Sequence, residues 1–123
     1  KRFDIEEMFR DFKKGGYNLE DTNVKDERFI SLVLLIAIAY TSATIQGQLI
    51  KRKGVQKYVA RVKEYPRLER RHSSFYVGLY GHNWVTFKDD CIELVVTLMR
   101  LNPSKRNYYR KGINAMKLIE STF

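Results

Sequence analysis

The most constraining feature of this sequence is an uncharged stretch of 22 residues, from Phe29 to Ile50. A helix of that length is long enough to cross a bilayer. Its second half, however, contains threonine, serine, glutamine and glycine, and only Phe29 to Tyr40 is densely apolar. A helix that is hydrophobic on all sides is normally a core helix. We therefore predict a buried central helix over about residues 27–48, with a transmembrane helix as the alternative.

Other stretches show the apolar spacing of amphipathic helices. One ends at Gly15-Gly16, one covers residues 55–66, and one follows the break and N-cap residues at 102–104. A further helix is expected to begin at a capping box, the sequence Thr-Phe-Lys-Asp at residues 86–89. The residues expected to face the core in the last two helices are Cys91, Leu94, Val95, Leu98, Ile113 and Met116. No strand pattern bounded by turns is found, so the predicted fold class is mainly α.

Residues 67–83 have a mixed pattern. Apolar residues alternate from Phe75 to Leu79, as in a strand, but Gly78 and Gly81 interrupt the alternation. The pattern predicts a loop or a short extended piece. Trp84, which follows directly, is expected to lie in the core.

The charge of the chain indicates a polyanionic partner. There are 23 lysines and arginines against 14 aspartates and glutamates, a formal net charge of +9. A charge of this size in one small domain is typical of proteins that bind nucleic acid or an anionic membrane. One cysteine cannot form an internal disulfide, and with two histidines it makes a structural zinc site unexpected.

Most of the positive charge lies in residues 51–71, which we name the basic segment. The segment holds nine lysines and arginines against two glutamates. We expect these cations to contact DNA phosphates, with strong dependence on salt and without reading of bases. The alternative is a solvated face that keeps the protein soluble. The predicted phosphate-contacting residues of this segment are Lys51, Arg52, Lys53, Lys57, Arg61, Lys63, Arg67, Arg70 and Arg71.

A second basic patch covers residues 105–111, where Tyr108 and Tyr109 stand among four cations. Aromatic side chains among basic ones can stack on unpaired bases. Tyrosine is equally an ordinary residue at the edge of a core. The sequence leaves both interpretations open.

The first helix places charged residues on one stripe. At 100° per residue, Arg2, Glu6 and Lys13 lie close to one line along the helix, beside its apolar stripe. A carboxylate can hold a divalent metal ion, and flanking cations can hold phosphate oxygens. Together they suit a phosphodiester site, in which metal ions polarise the phosphate. The alternative is a surface helix with ion pairs between residues four apart.

The spacing of Arg2, Glu6 and Lys13 resembles a known signature. It matches the R-(3)-E-(6)-K part of the Y-(2)-R-(3)-E-(6)-K signature of DDE transposases of the insertion-sequence-four family. The surrounding sequence IEEMFRDFKKGGYNLE is also similar to that family, as are the segments YTSATIQGQ and RRHSSFYVGLYG. The resemblance covers essentially the whole chain and corresponds to the C-terminal part of such a transposase.

The resemblance implies a fold and an activity. Residues 1–16 would form the last catalytic helix of a ribonuclease-H-like (integrase-type) core, and residues 17–123 a helical C-terminal region. Glu6 would be the third acidic residue of the catalytic triad and a ligand to Mg²⁺ or Mn²⁺, while Arg2 and Lys13 would contact DNA phosphates. The implied reaction is phosphoryl transfer in two steps, cleavage at a transposon end and strand transfer to target DNA.

The sequence also departs from the family pattern. The signature tyrosine would lie three residues before Arg2, and the first two catalytic aspartates would lie far upstream. We therefore expect the chain to be part of a longer protein and to be inactive alone, because a single Glu6 cannot hold two metal ions. The alternative is a noncatalytic basic helical module that binds DNA.

The resemblance further implies the partners and the location. The DNA partners would be the terminal inverted repeats of the transposon and the target DNA. The protein partner would be a second copy of the transposase, in a homodimeric synaptic complex. The location would be the prokaryotic cytoplasm, at the nucleoid, with no membrane involved.

Overall fold

A computed structural model describes residues 6, 8, 10, 26–60 and 72–123 of the chain. In this part of the chain the helices are α1 (Asp26–Arg52), α2 (Gln56–Val59), α3 (Ser74–Thr86), α4 (Lys88–Leu101) and α5 (Arg106–Glu120), with a 3₁₀-helix at Pro103–Lys105. No strand is present among these residues, which confirms the mainly α prediction for them. The predicted helix end at Gly15-Gly16 lies outside the described residues.

Helix α1 forms where the sequence predicts a long helix, but the prediction that it is buried on all sides is wrong. A narrow stripe that includes Ile36, Ala43 and Ile50 is buried, and several large apolar side chains outside that stripe are exposed. The exposed fractions are 68% for Ile30, 62% for Leu34, 64% for Leu35 and 60% for Ile38. The reason is geometric: in the described part of the chain α1 packs mainly on α3, which covers one side only.

Helix α1 is long and apolar enough to cross a membrane, by length and composition alone. Over Glu27–Arg52 its mean hydropathy is 1.9, and 11% of the most apolar window is buried. The core helix of a soluble protein can have the same length and composition. In length and composition α1 thus matches both a membrane span and a core helix, and within the described residues most of its apolar surface is uncovered.

Helix α3 replaces the predicted loop or extended piece. It begins after Ser73, whose hydroxyl accepts a hydrogen bond from the backbone N–H of Tyr76 at 3.0 Å, as expected of an N-cap. Gly78 and Gly81 lie inside the helix, where they permit close packing. A Cβ at Gly81 would lie 2.6 Å from Cδ1 of Ile50, so the missing side chain makes room for that residue.

The core lies where α1, α3 and α5 meet. Ile50, Val77 and Ile119 are fully buried there, one from each helix, together with Val55 from the turn after α1. Burying one such aliphatic side chain contributes about 1.5–3 kcal/mol of transfer free energy. These contacts hold the end of α1 against the last helix of the chain.

Helix α4 does not begin at a capping box. Thr86 is the last residue of α3, and its hydroxyl donates to the carbonyl oxygen of His82. The N-cap of α4 is Phe87, which makes no side-chain capping bond. Thr86 therefore belongs to the preceding helix and is not the N-cap of the next one.

The predicted core face of α4 is also wrong. No residue of α4 is buried, Leu94 is 64% exposed, and Cys91 is only half-buried. Trp84, predicted to lie in the core, is 39% exposed. Helix α4 lies at the periphery, where Nζ of Lys88 contacts Oε1 of Glu120 at 2.6 Å and links it to α5.

The remaining boundaries differ from the sequence pattern in detail. Helix α2 ends at Val59 because Ala60 is extended (φ −151, ψ 150), so the helix stops short of the predicted end at residue 66. Asn102 is the C-cap of α4 and accepts a hydrogen bond from Ser104, instead of capping the last helix. In α5, Met116 is buried as predicted.

Candidate nucleic-acid interface

The predicted catalytic helix is described at three positions. Glu6, Met8 and Arg10 are helical there; Glu6 and Arg10 are exposed, and Met8 is half-buried. At these three positions the charged side chains are the exposed ones and the apolar side chain is less exposed. The predicted phosphate contacts Arg2 and Lys13 lie outside the described residues.

The described residues do not by themselves form a metal centre. Among them, no group of three or more histidine, cysteine, aspartate or glutamate side chains could hold a metal ion. Glu6 is a single carboxylate, and one carboxylate cannot offset the charge of two divalent cations. A site for Mg²⁺ or Mn²⁺ at Glu6 would need carboxylates from outside the described residues.

The structure describes four of the nine residues in the basic segment that are predicted to contact phosphates. Lys51 donates from Nζ to the carbonyl oxygen of His72 and to the hydroxyl of Ser74, at 3.1 and 3.2 Å. Arg52, Lys53 and Lys57 are exposed. The other five predicted contacts, which lie outside the described residues, are Arg61, Lys63, Arg67, Arg70 and Arg71.

Lys53 connects the basic segment to the last helix. Its ammonium donates to the carbonyl oxygen of Leu118 at 3.2 Å and to the hydroxyl of Ser121. A cation at the C-terminal end of a helix is stabilised by the helix dipole and by free carbonyl groups. This contact brings together residues 65 positions apart in the sequence.

The structure thereby joins two basic regions that the sequence presents separately. Residues 51–60 hold four cations and residues 103–119 hold five, and neither stretch contains an aspartate or glutamate. Lys57 from α2 and Lys111 from α5 line the same surface pocket. Cations from the two stretches therefore lie near one another, which is the arrangement that phosphate contacts require. The carboxylate that follows the second stretch, Glu120, pairs with Lys88 of α4.

The second basic patch shows one exposed aromatic side chain. Tyr108 is 74% exposed, whereas Tyr109 is half-buried. Arg106 donates from Nε to the carbonyl oxygen of Met99, which ties the start of α5 to the end of α4. Tyr108 is thus exposed enough to stack on a base. Tyr109 instead lies at the edge of the core, which is the second of the two interpretations of this patch.

The pocket between α2 and α5 could not be found by sequence reasoning. Lys57 and Lys111 are 54 positions apart, and no periodicity connects them. The signal that was present is local: both α2 and α5 carry cations, and the one carboxylate in either helix is Glu120 at the end of α5. Val55, just before α2, and Ala115 of α5 belong to one core cluster, and this long-range contact brings Lys57 and Lys111 to the same pocket.

Comparisons of the chain with protein-family models, with curated proteins and with solved structures gave no match. The similarity to transposases of the insertion-sequence-four family therefore rests on the sequence motifs alone.

Proposed function

We propose that the chain is the C-terminal part of a DNA transposase of the insertion-sequence-four family. The observation that carries the proposal is the spacing of Arg2, Glu6 and Lys13 within a sequence that is similar to that family over its length. The helical conformation at Glu6 and Arg10 supports it, as does the mainly helical fold of the described residues. Residues 1–16 would complete a ribonuclease-H-like core supplied by the rest of a longer protein.

In this proposal each charged residue has a separate task. Glu6 would act as a ligand to Mg²⁺ or Mn²⁺, together with two aspartates from the upstream core. Divalent metal in such a site polarises the scissile phosphate and activates the attacking oxygen. Arg2 and Lys13 would hold the phosphates beside the cleaved bond. Their contribution is positioning and stabilisation of charge.

The basic surface would hold DNA on either side of the reacting bond. Its exposed members Arg52 and Lys57 would neutralise phosphates, and binding should weaken steeply as salt is raised. The DNA would be the terminal inverted repeats and the target, bound by two copies of the enzyme in a synaptic complex. The protein would then act in the prokaryotic cytoplasm, at the nucleoid.

The test is Glu6→Gln in the complete parent protein, which removes the charge and keeps the size of the side chain. We expect cleavage of transposon-end DNA to be lost while binding to that DNA is retained. Glu7→Gln is the matched control, since an α-helix with 100° per residue would turn Glu7 about 100° away from Glu6. Full cleavage by the Glu6→Gln protein would overturn the proposed catalytic role.

A noncatalytic DNA-binding module is the second candidate. The observation that favours it is the basic surface at α2 and α5, where Lys57 and Lys111 line one pocket and no metal is needed. It requires Glu6 to be dispensable for every function of the parent protein. Two results together would favour this candidate. Transposition would be unchanged with Glu6→Gln, and DNA binding would be lost when Arg52 and Lys57 are replaced by alanine.

A further inference from the structure

The surface between α2 and α5 contains a pocket of about 250 Å³. This volume lies just below the range of about 300–1,000 Å³ that is usual for pockets of drug-sized ligands, so a smaller group suits it. The residues that line it are Gly54, Val55, Lys57, Tyr58, Lys111, Asn114, Ala115 and Leu118. The pocket thus combines an apolar surface with two cations and one amide.

The apolar part of the pocket is firmly placed. Val55 and Ala115 are buried, with 6% and 3% of their surfaces exposed, and both belong to the main core cluster. Tyr58 packs against the same cluster, and Leu118 is 44% exposed at the pocket wall. A flat apolar or aromatic group placed here would cover surface that the protein leaves open to water.

The cations stand beside this apolar surface. Nζ of Lys57 lies 5.4 Å from the centroid of the Tyr58 ring, so a positive charge adjoins an aromatic face. Lys57 and Lys111 are exposed and form no ion pair with a carboxylate among the described residues. Gly54 has a left-handed backbone (φ 70), and nothing lies within 4 Å of where its Cβ would be, so the mouth stays open.

We propose that this pocket binds one unstacked nucleotide of single-stranded DNA. The phosphate is held by Lys57 and Lys111, and the base lies against Tyr58 and Leu118. Duplex DNA exposes its phosphates but keeps its bases stacked, so it can contact only the cations of the pocket. Single-stranded DNA offers both groups, and stacking on an aromatic side chain tolerates any base. This inference rests on the proposed binding of DNA by the basic surface.

The test measures binding of the 123-residue chain to labelled oligonucleotides by fluorescence anisotropy. The probes are a 15-nucleotide oligothymidylate, an abasic strand of the same length and a 15-base-pair duplex. We expect oligothymidylate to bind about tenfold tighter than the abasic strand, the order of one stacked base. Leu118→Ser and Asn114→Ala, both at exposed positions, should each reduce the ratio of the two affinities. Neither should weaken binding of the abasic strand.

Lys111→Ala should weaken binding of all three probes, because it removes a phosphate contact. Lys117→Ala is the control on the same helix, since Lys117 is exposed but does not line the pocket, and it should weaken binding of the three probes less than Lys111→Ala does. Equal binding of oligothymidylate and the abasic strand would overturn the proposal that the pocket binds a base. If duplex binding still depended on salt, the proposed contact with DNA phosphates would stand. No binding of any probe would overturn both.

Crosslinking gives a readout that needs no variant. A 5-iododeoxyuridine placed in the single strand should crosslink to Tyr58, identified by mass spectrometry of the digested complex. Tyr108 is the competing site, because it is the more exposed tyrosine and lies in the second basic patch. Crosslinks confined to Tyr108 would overturn the pocket as the site of the base.

Discussion

Gly47 of α1 and Gly78 of α3 let the backbones of two helices touch. A Cβ at Gly47 would lie 1.8 Å from the carbonyl oxygen of Ser74, and a Cβ at Gly78 would lie 1.8 Å from that of Ala43. Both obstructions are backbone atoms, so rotation of a side chain cannot relieve them. The two glycines therefore set the separation of the helices that form most of the core.

Gly78→Ala should destabilise the protein by about 3 kcal/mol, as expected for overpacking against a backbone that cannot move aside. The unfolding free energy measured in urea is the readout. Gly112→Ala in α5 is the matched control, because nothing lies within 4 Å of its Cβ position. There the gain in helix propensity should raise stability by up to about 1 kcal/mol. An equal gain at both positions would contradict the close crossing.

Ser73→Ala should cost about 1 kcal/mol, because it removes the N-cap bond to the backbone N–H of Tyr76. Thermal unfolding followed by circular dichroism measures the loss. Ser104→Ala is the comparison, since the hydroxyl of Ser104 donates to the side chain of Asn102 at an exposed site. That change should stay within about 0.5 kcal/mol. A Ser73→Ala protein as stable as the parent would show that α3 begins without this cap.

The contact between Lys88 and Glu120 predicts a dependence of stability on alkaline pH. The hydrogen bond to Glu120 raises the pKa of Lys88 above its ordinary value of 10.5, although partial desolvation opposes the rise. A raised pKa means that folding favours the protonated amine. The contribution is therefore fully present below pH 10.5 and is lost as the pH rises through the pKa of the folded state.

Glu120→Gln tests this pH dependence. The difference in unfolding free energy between the parent and this variant should be constant between pH 7 and 9.5 and should shrink as the pH rises above 10.5. Taking the difference removes the titration of tyrosines, which both proteins share. Because both side chains of the pair are partly exposed, 0.5 M salt should also reduce the difference. A difference that grows with alkaline pH would contradict the assigned sign.

Replacing Leu34, Leu35 and Ile38 together by glutamine should leave stability nearly unchanged, because all three are at least 60% exposed. The same change should reduce binding of a hydrophobic dye and slow aggregation, since it removes an apolar patch. Ile36→Ala is the control on the same helix. Ile36 is 6% exposed, and its truncation should cost about 2 kcal/mol or more.

Unfolding of the triple glutamine variant would instead mean that the exposed face of α1 is covered by another part of the protein. Fractionation separates the membrane alternative. We expect the parent chain to remain in the aqueous fraction without detergent. Recovery only in the detergent fraction would support membrane insertion of α1.

The elements that the sequence predicts correctly are those with a strong local pattern. Helix α1 follows from its long apolar run, and the last helix follows from the spacing of Ile113 and Met116. Helix α3 was missed because Gly78 and Gly81 have the same appearance in sequence whether they break a helix or permit a close crossing. Only the position of α1 distinguishes the two cases.

The candidate site divides in the same way. The basic segment is visible in composition, because charge needs no partner to be counted. Its connection with α5 is not visible, since Lys53 reaches a carbonyl group 65 residues away. Nor does composition reveal that Lys51 donates to His72 and Ser74 within the fold. Local periodicity predicts helices, but long-range packing decides which cations adjoin one another.

Because α1 is buried unevenly, the backbone hydrogen bonds of its two halves should open at different rates. Its C-terminal half is held by the glycine crossing and by the buried Ile50, so its amide protons should exchange with solvent only when the core opens. Its N-terminal half, with Ile30 and Leu34 exposed, is held mainly by its own hydrogen bonds and opens locally. Deuterium would thus enter α1 from one end, and the boundary would fall near Tyr40, whose ring stacks on buried Phe75.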